Sequence, residues 1–145
     1  MPGNNVDLTL LGHHVRTISV PLVGAEFQLP TPDGFTAMLI GLNIVFQTDA
    51  TVANRQITIQ NTQGSNHCPQ IIMPCEQPAG TIYQYHGGIG VTAFGPSTSH
   101  GYVQCCIPNF FVVRPGDILK SYVVLRQATD AWTTIQFAFM EWLSD

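Results

Sequence analysis

Apolar and polar residues alternate along this chain in short runs, and turn-forming residues separate the runs. Residues Phe35–Gln47 (FTAMLIGLNIVFQ) mix β-branched and aromatic side chains at the density of a strand covered on both faces. From Arg55 to Gln60 polar and apolar residues alternate, with Ile57 and Ile59 facing one way. Ile118–Arg126 and Trp132–Trp142 predict two further strands. In the last run Thr133, Ile135, Phe137, Phe139 and Glu141 share one face, and its Ile135, Phe137, Phe139 row is the better core candidate. Trp132, Thr134, Gln136, Ala138, Met140 and Trp142 share the other. Shorter strands are predicted at Val15–Val20, Thr81–Tyr85, Ile89–Phe94, Tyr102–Ile107 and Phe110–Val113.

The breakers have identifiable mechanisms. Arg114-Pro115-Gly116-Asp117 places Pro and Gly at the central positions that a type II turn requires. Thirteen Gly and ten Pro punctuate strands of this length too often for any helix beyond about two turns. The predicted architecture is one all-β domain, an antiparallel β-sandwich. A jelly roll is the first choice, and a Greek-key sandwich of another topology is the second. The sandwich is set at residues 15–145, with residues 1–14 as an N-terminal arm. Asn61–Gly80 reads as a long loop, functional or packed against a partner.

Composition changes the picture in one respect. Charged residues are 10% of the 145, against about 25% in an ordinary soluble domain. Apolar residues are 45%, so Thr, Gln, Asn, Ser and Gly have replaced the missing charge. Aromatics at 10% exclude a disordered tail. A net charge of -4 with no basic stripe excludes counterion-displacing nucleic-acid binding. No apolar run approaches the roughly 20 residues of a membrane span, and the first ten residues lack the pattern of a signal peptide. The chain is expected to be made and folded in the cytosol, with neither nucleic acid nor membrane as a partner.

Candidate chemistry is sparse. The Cys68/Cys75 and Cys105/Cys106 pairs do not fit zinc-knuckle spacing, and adjacent strand residues point to opposite faces. Buried or semi-buried thiols are expected, with a Cys68–Cys75 disulfide or a metal as alternatives. The five histidines are scattered and read as loop residues, with a ligand cluster of His67, His86 and a cysteine as the alternative. Pro96 and the absence of a following helix deny Ser97–Gly101 a nucleophile elbow, and His86-Gly87-Gly88 reads as a flexible turn. Asp33, Asp49, Asp117 and Asp130 sit where Asp caps its own backbone, leaving Glu26, Glu76 and Glu141 as unassigned carboxylates. No catalytic residue, metal site or cofactor is assigned, and the protein is expected not to be an enzyme.

Neutral polar groups shed water more cheaply than charges and still hydrogen-bond, so this composition suits surfaces that end up against protein. The expectation is an obligate oligomer or shell component. Its interface residues are set at Val6, Leu8, Leu10, His13, His14, Tyr83, Tyr85, Trp132 and Trp142, with Tyr102, Phe110 and Phe111 as further aromatic material.

Phe111–Val123 (FVVRPGDILKSYV), Gln127–Gln136 (QATDAWTTIQ) and Met140–Leu143 (MEWL), with Ala53-Asn54-Arg55 before a strand, carry a resemblance. About half of the chain resembles small β-rich virion proteins of tailed bacteriophages, most of all the jelly-roll decoration (cement) proteins of phage heads. The resemblance implies a homotrimer on the capsid surface of the virion that clamps neighbouring major capsid proteins. It carries no catalytic motif. A tail, adaptor or fibre-base component is one alternative. A carbohydrate- or receptor-binding module, using Tyr83, Tyr85, Trp132 and Asn109, is another.

Overall fold

The computed structural model describes residues 10–31, 34–63, 66–96 and 101–143. Ten strands follow one another: β1 Leu10–Thr17, β2 Gln28–Pro30, β3 Phe35–Gln47, β4 Gln56–Gln63, β5 Asn66–Ile72, β6 Ile82–Ile89, β7 Tyr102–Ile107, β8 Val112–Val113, β9 Ile118–Val124 and β10 Ala131–Leu143. No helix occurs among the described residues. One sheet runs β1-β10-β3-β6-β7, with β8 also on β3, and the other runs β2-β9-β4-β5. Every pairing is antiparallel except β6 with β7.

The two sheets share one core, which gives the molecule a β-sandwich-like form. Leu39, Leu42, Ile44, Phe46, Ile135, Phe137 and Phe139 come from the larger sheet. Ile57, Ile59, Leu119 and Val123 come from the smaller. Each such side chain contributes roughly 1.5–3 kcal/mol by leaving water. The predicted row Ile135, Phe137, Phe139 is buried as expected.

Two β-bulges decide which residues reach that core. Phe139 pairs with Leu39 and Ala138 with Gly41, so Ile40 is an extra residue in β3. Inward positions then switch from Ala37 and Leu39 to Leu42, Ile44 and Phe46. Near the start of β10, Trp132 pairs with Phe46 and Thr134 with Val45, leaving Thr133 extra. Strict alternation puts Trp132 on the outer face with Thr134. The bulge turns it inward, where it packs edge-on against Phe27 at 5.0 Å between ring centres.

Other boundaries differ from the sequence pattern. The first strand spans Leu10–Thr17 instead of Val15–Val20, so residues 10–14 of the predicted arm are hydrogen-bonded to β10, while residues 1–9 lie outside the described residues. The predicted loop at 61–80 contains the end of β4 and all of β5, because an edge strand is held by its neighbour's backbone and needs no apolar alternation of its own. His86-Gly87-Gly88 lies within β6, paired with Asn43, Leu42 and Gly41, and is not a turn. Glycine is required at 87: a Cβ there would meet Cys105 Sγ and Leu42 Cγ, each at 2.8 Å. The Arg114–Asp117 turn forms as predicted, closed by Asp117 N–H donating to the Arg114 carbonyl, with Gly116 at φ +84°.

Candidate functional site

Three connections converge at one end of the molecule: residues 18–27 between β1 and β2, 48–55 between β3 and β4, and 125–130 between β9 and β10. Asp130 joins them. Its Oδ1 accepts from Asp49 N–H at 2.8 Å and its Oδ2 from Gln127 N–H at 2.8 Å. Its backbone carbonyl accepts from Gly24 N–H at 2.8 Å. Arg55, fully buried, forks onto the same carboxylate and onto Asp49 Oδ1 at 2.6 Å. The Arg55 Nη1 group also donates to the carbonyls of Thr51 and Ala53, at 2.9 and 2.5 Å. Hydrogen bonds from the Thr129 hydroxyl first, then from Thr51 and Arg55, hold the Asp49 carboxyl below its ordinary range against the opposing effect of burial.

On this rigid base the loops present aliphatic side chains to solvent. Leu22 is 86% exposed, Val52 94% and Leu125 61%, with Val23 beside Leu22. Leu125 sits at φ +59°, a conformation that costs a residue with a Cβ about 1–2 kcal/mol. Among the described residues Phe110 is the other non-glycine residue there, at φ +62°, and it too is exposed, at 81%. Leu125 and Phe110 thus combine a positive φ with an exposed apolar side chain, whereas Leu22, Val23 and Val52 are exposed without one. Arg55 near this end is paired with Asp49 and Asp130, and Arg126 with Glu26 at 3.1 Å, while Glu76 is exposed beside Asn54. The sequence carried a faint signal for this site, the apolar pair Leu22-Val23 framed by Pro21 and Gly24.

A second surface is the outer face of the larger sheet. Register puts Val15, Ala138, Met140, Trp142, Met38 and Val45 on it. Across its middle Asn43 Nδ2 donates to Gln136 Oε1, and Gln84 Nε2 donates to Asn43 Oδ1, at 3.1 and 3.0 Å. A shallow depression of about 280 Å³ lies between Val15, Gly41, Asn43, Gln136 and Ala138. No Asp, Glu, Lys or Arg projects from this face among the described residues. The charged residues of these strands, Arg16 and Glu141, both turn inward and pair at 2.7 Å.

Of the predicted interface residues, the register places His13 and Trp142 on this outer face, opposite Met140 and Thr36 respectively. His14 is exposed beside Phe139 on the inward side of β1. Leu10 pairs with Trp142, and Val6 and Leu8 lie outside the described residues. Two assignments are corrected. Trp132 is core for the bulge reason given above. Tyr85 is fully buried because its hydroxyl finds a partner inside, donating to Gln77 Oε1 at 2.9 Å. Tyr83 is half-buried against the core, and Phe111 is buried. The platform of Tyr83, Tyr85 and Trp132 named for sugar stacking therefore does not exist on the surface of the chain.

The other candidate groups are engaged separately. Glu26 accepts from the Ser121 hydroxyl and Val123 N–H, Glu76 from Asn54, and Glu141 from Arg16, so no two share a partner. Asp49, Asp117 and Asp130 accept from backbone N–H groups two or three residues away, as their turn contexts predict. Asp33 and residues 97–100 lie outside the described residues. Cys75 and Cys105 are free thiols that burial pushes upward in pKa, Cys105 to about 12, and Cys106 is free and exposed. No group of His, Cys, Asp and Glu suited to a metal ion occurs among the described residues. The cavity between the sheets, lined by Leu29, Phe35, Leu119 and Phe139, measures about 20 Å³, room for one water molecule.

No family model, curated protein or solved structure matches this chain.

Proposed function

We propose that this protein is a non-enzymatic structural component of a virion, a trimeric decoration (cement) protein on the capsid surface that docks onto the major capsid protein through its apolar loop end. The observation that carries the reading is the exposure of Leu22, Val52 and Leu125 on loops locked by the buried Arg55–Asp130 pair. Docking would bury each of them for roughly 1.5–3 kcal/mol, with little loop ordering left to oppose it. Linked copies multiply that modest single-site affinity.

The strand pairing supports the finer choice of fold. β1 pairs with β10, β2 with β9, β3 with β6 and β4 with β5. With β7 and β8 set aside as additions to β6 and β3, first pairs with last inward to the middle, the pairing of one long hairpin. Joining it across β10·β3 and β9·β4 rolls it into the two-sheet winding of a jelly roll. That architecture serves viral capsid and lectin domains alike, so fold supports the reading without deciding it.

The test is co-sedimentation with empty capsids of the phage that carries the protein. The wild type should pellet in fixed stoichiometry, and a folded Leu22→Asp/Val52→Asp variant should stay in the supernatant. A wild type that ignores capsids, or a variant that binds them equally well, would overturn the proposal.

A further inference from the structure

We infer that the outer face of the larger sheet is where copies of this chain meet, the face turned toward the rotation axis of the oligomer. This rests on the oligomeric part of the reading above and not on capsid docking. A sheet with one face in water normally carries charge there, for solubility and to keep other sheets away. This face carries none among the described residues, although it spans five strands of a chain with nine acidic and five basic residues. Arg16 and Glu141 lie on β1 and β10 and still turn inward to each other, so charge is withheld from the face even where the strands contain it.

Electrostatics selects a second copy as the occupant. Groups close to a rotation axis meet their own counterparts, so a charge there would face like charges at a cost of several kcal/mol. A copy carrying a net charge of -4 approaches another at least electrostatic cost through a surface that leaves that charge elsewhere. An uncharged face meets both demands, whereas a dissimilar partner would place no such restriction on it. The remaining chemistry fits. Val15, Ala138, Met140 and Trp142 supply apolar area, and the Asn43–Gln136–Gln84 amides are already bonded to one another and need little from the partner.

The size is adequate. Five strands at about 4.8 Å and about seven residues at 3.3 Å give a flat footprint of roughly 550 Å². Side-chain relief raises the accessible area toward the roughly 800 Å² per partner of a stable interface.

The experiment is the solution mass of the full chain by sedimentation velocity and light scattering. It compares wild type, Val15→Asp, Val15→Asp/Met140→Glu and the loop variant Leu22→Asp/Val52→Asp, with far-UV circular dichroism to establish folding. Val15 is 62% exposed in the single chain, so its variant tests the face even where the double variant fails to fold. Wild type and loop variant should run at about three times 15.9 kDa, and the face variants should dissociate at protein concentrations at least tenfold higher. A folded face variant with wild-type mass, or a wild type that is monomeric throughout, overturns the inference. Monomers that still pellet with capsids would leave docking standing. Oligomers that dissociate on face substitution but never pellet would remove docking alone.

Discussion

The Arg55 guanidinium and the Asp130 carboxylate meet in a forked ion pair, Nε to Oδ2 at 3.0 Å and Nη2 to Oδ1 at 2.9 Å, with both side chains closed to solvent. A pair of this kind adds little over well-packed apolar side chains, but removing one partner strands a buried charge. Here it would also strand the Thr51 and Ala53 carbonyls that Arg55 holds. Arg55→Met should therefore cost about 3–5 kcal/mol, and Arg55→Lys should recover only part, because an ammonium cannot fork. Urea denaturation measures both. An unchanged midpoint for Arg55→Met would mean that the clip does not hold the loops.

Leu125 separates stability from docking. At φ +59° glycine removes the Cβ conflict while costing more chain entropy on folding. Leu125→Gly is expected to leave stability unchanged or raise it by up to about 1 kcal/mol, while weakening capsid binding. Thermal melting beside a co-sedimentation titration makes the comparison. Lower stability with undiminished binding would reverse the roles assigned to this residue.

Asp49 makes the loop end acid-sensitive. Its folded pKa lies below the ordinary value of 3.8, so the folded state binds its proton less readily than the unfolded chain does. The stabilisation is then complete above that value and disappears as pH falls through the lower, folded one. Asp49→Asn should be less stable than wild type at pH 7, with the gap closing below about pH 4. Denaturation curves across pH 2.5–7 would show it, and a gap independent of pH would contradict the assignment.

The thiols should differ in access. Cys105 is buried, with Sγ donating to the His86 carbonyl at 3.4 Å, and burial pushes its pKa up to about 12. Cys106, next in sequence, points outward. At pH 8 a thiol reagent should modify Cys106 in the folded protein and reach Cys105 only on unfolding, as peptide mass mapping would record. The sign of the linkage is also set. An unfolded thiol ionises near 9 while the folded one resists to about 12, so Cys105 lowers stability as pH rises above 9. Equal labelling of both cysteines in the folded state would contradict the packing of β7.

Much of the fold was legible because strand burial has a period of two. Ile57, Ile59, Ile135, Phe137 and Phe139 announce themselves that way, and Pro115-Gly116 announces its turn. What escaped has a physical reason in each case. Asn66, His67 and Gln70 show no alternation because β4 supplies their order. Trp132 needs a bulge at Thr133, and Tyr85 needs Gln77 folded back from the connection that leads into β6, and neither shows in an alternation pattern. The apolar loop end escaped for a related reason. Leu22 and Val52 lie between the predicted strands, where a local pattern does not show that their connections converge on Asp130. The low charge was visible at once, but its concentration into a charge-free sheet face required the register.

Docking through the loop end is the contact on which the proposed function depends most. The deciding measurement is a co-sedimentation isotherm of the full chain and its Leu22→Asp/Val52→Asp variant on empty capsids, with both shown to be folded and of equal oligomeric mass. Wild type should bind saturably at fixed stoichiometry, and the variant at least about a hundredfold more weakly. Superimposable isotherms would rule out docking through the loop end.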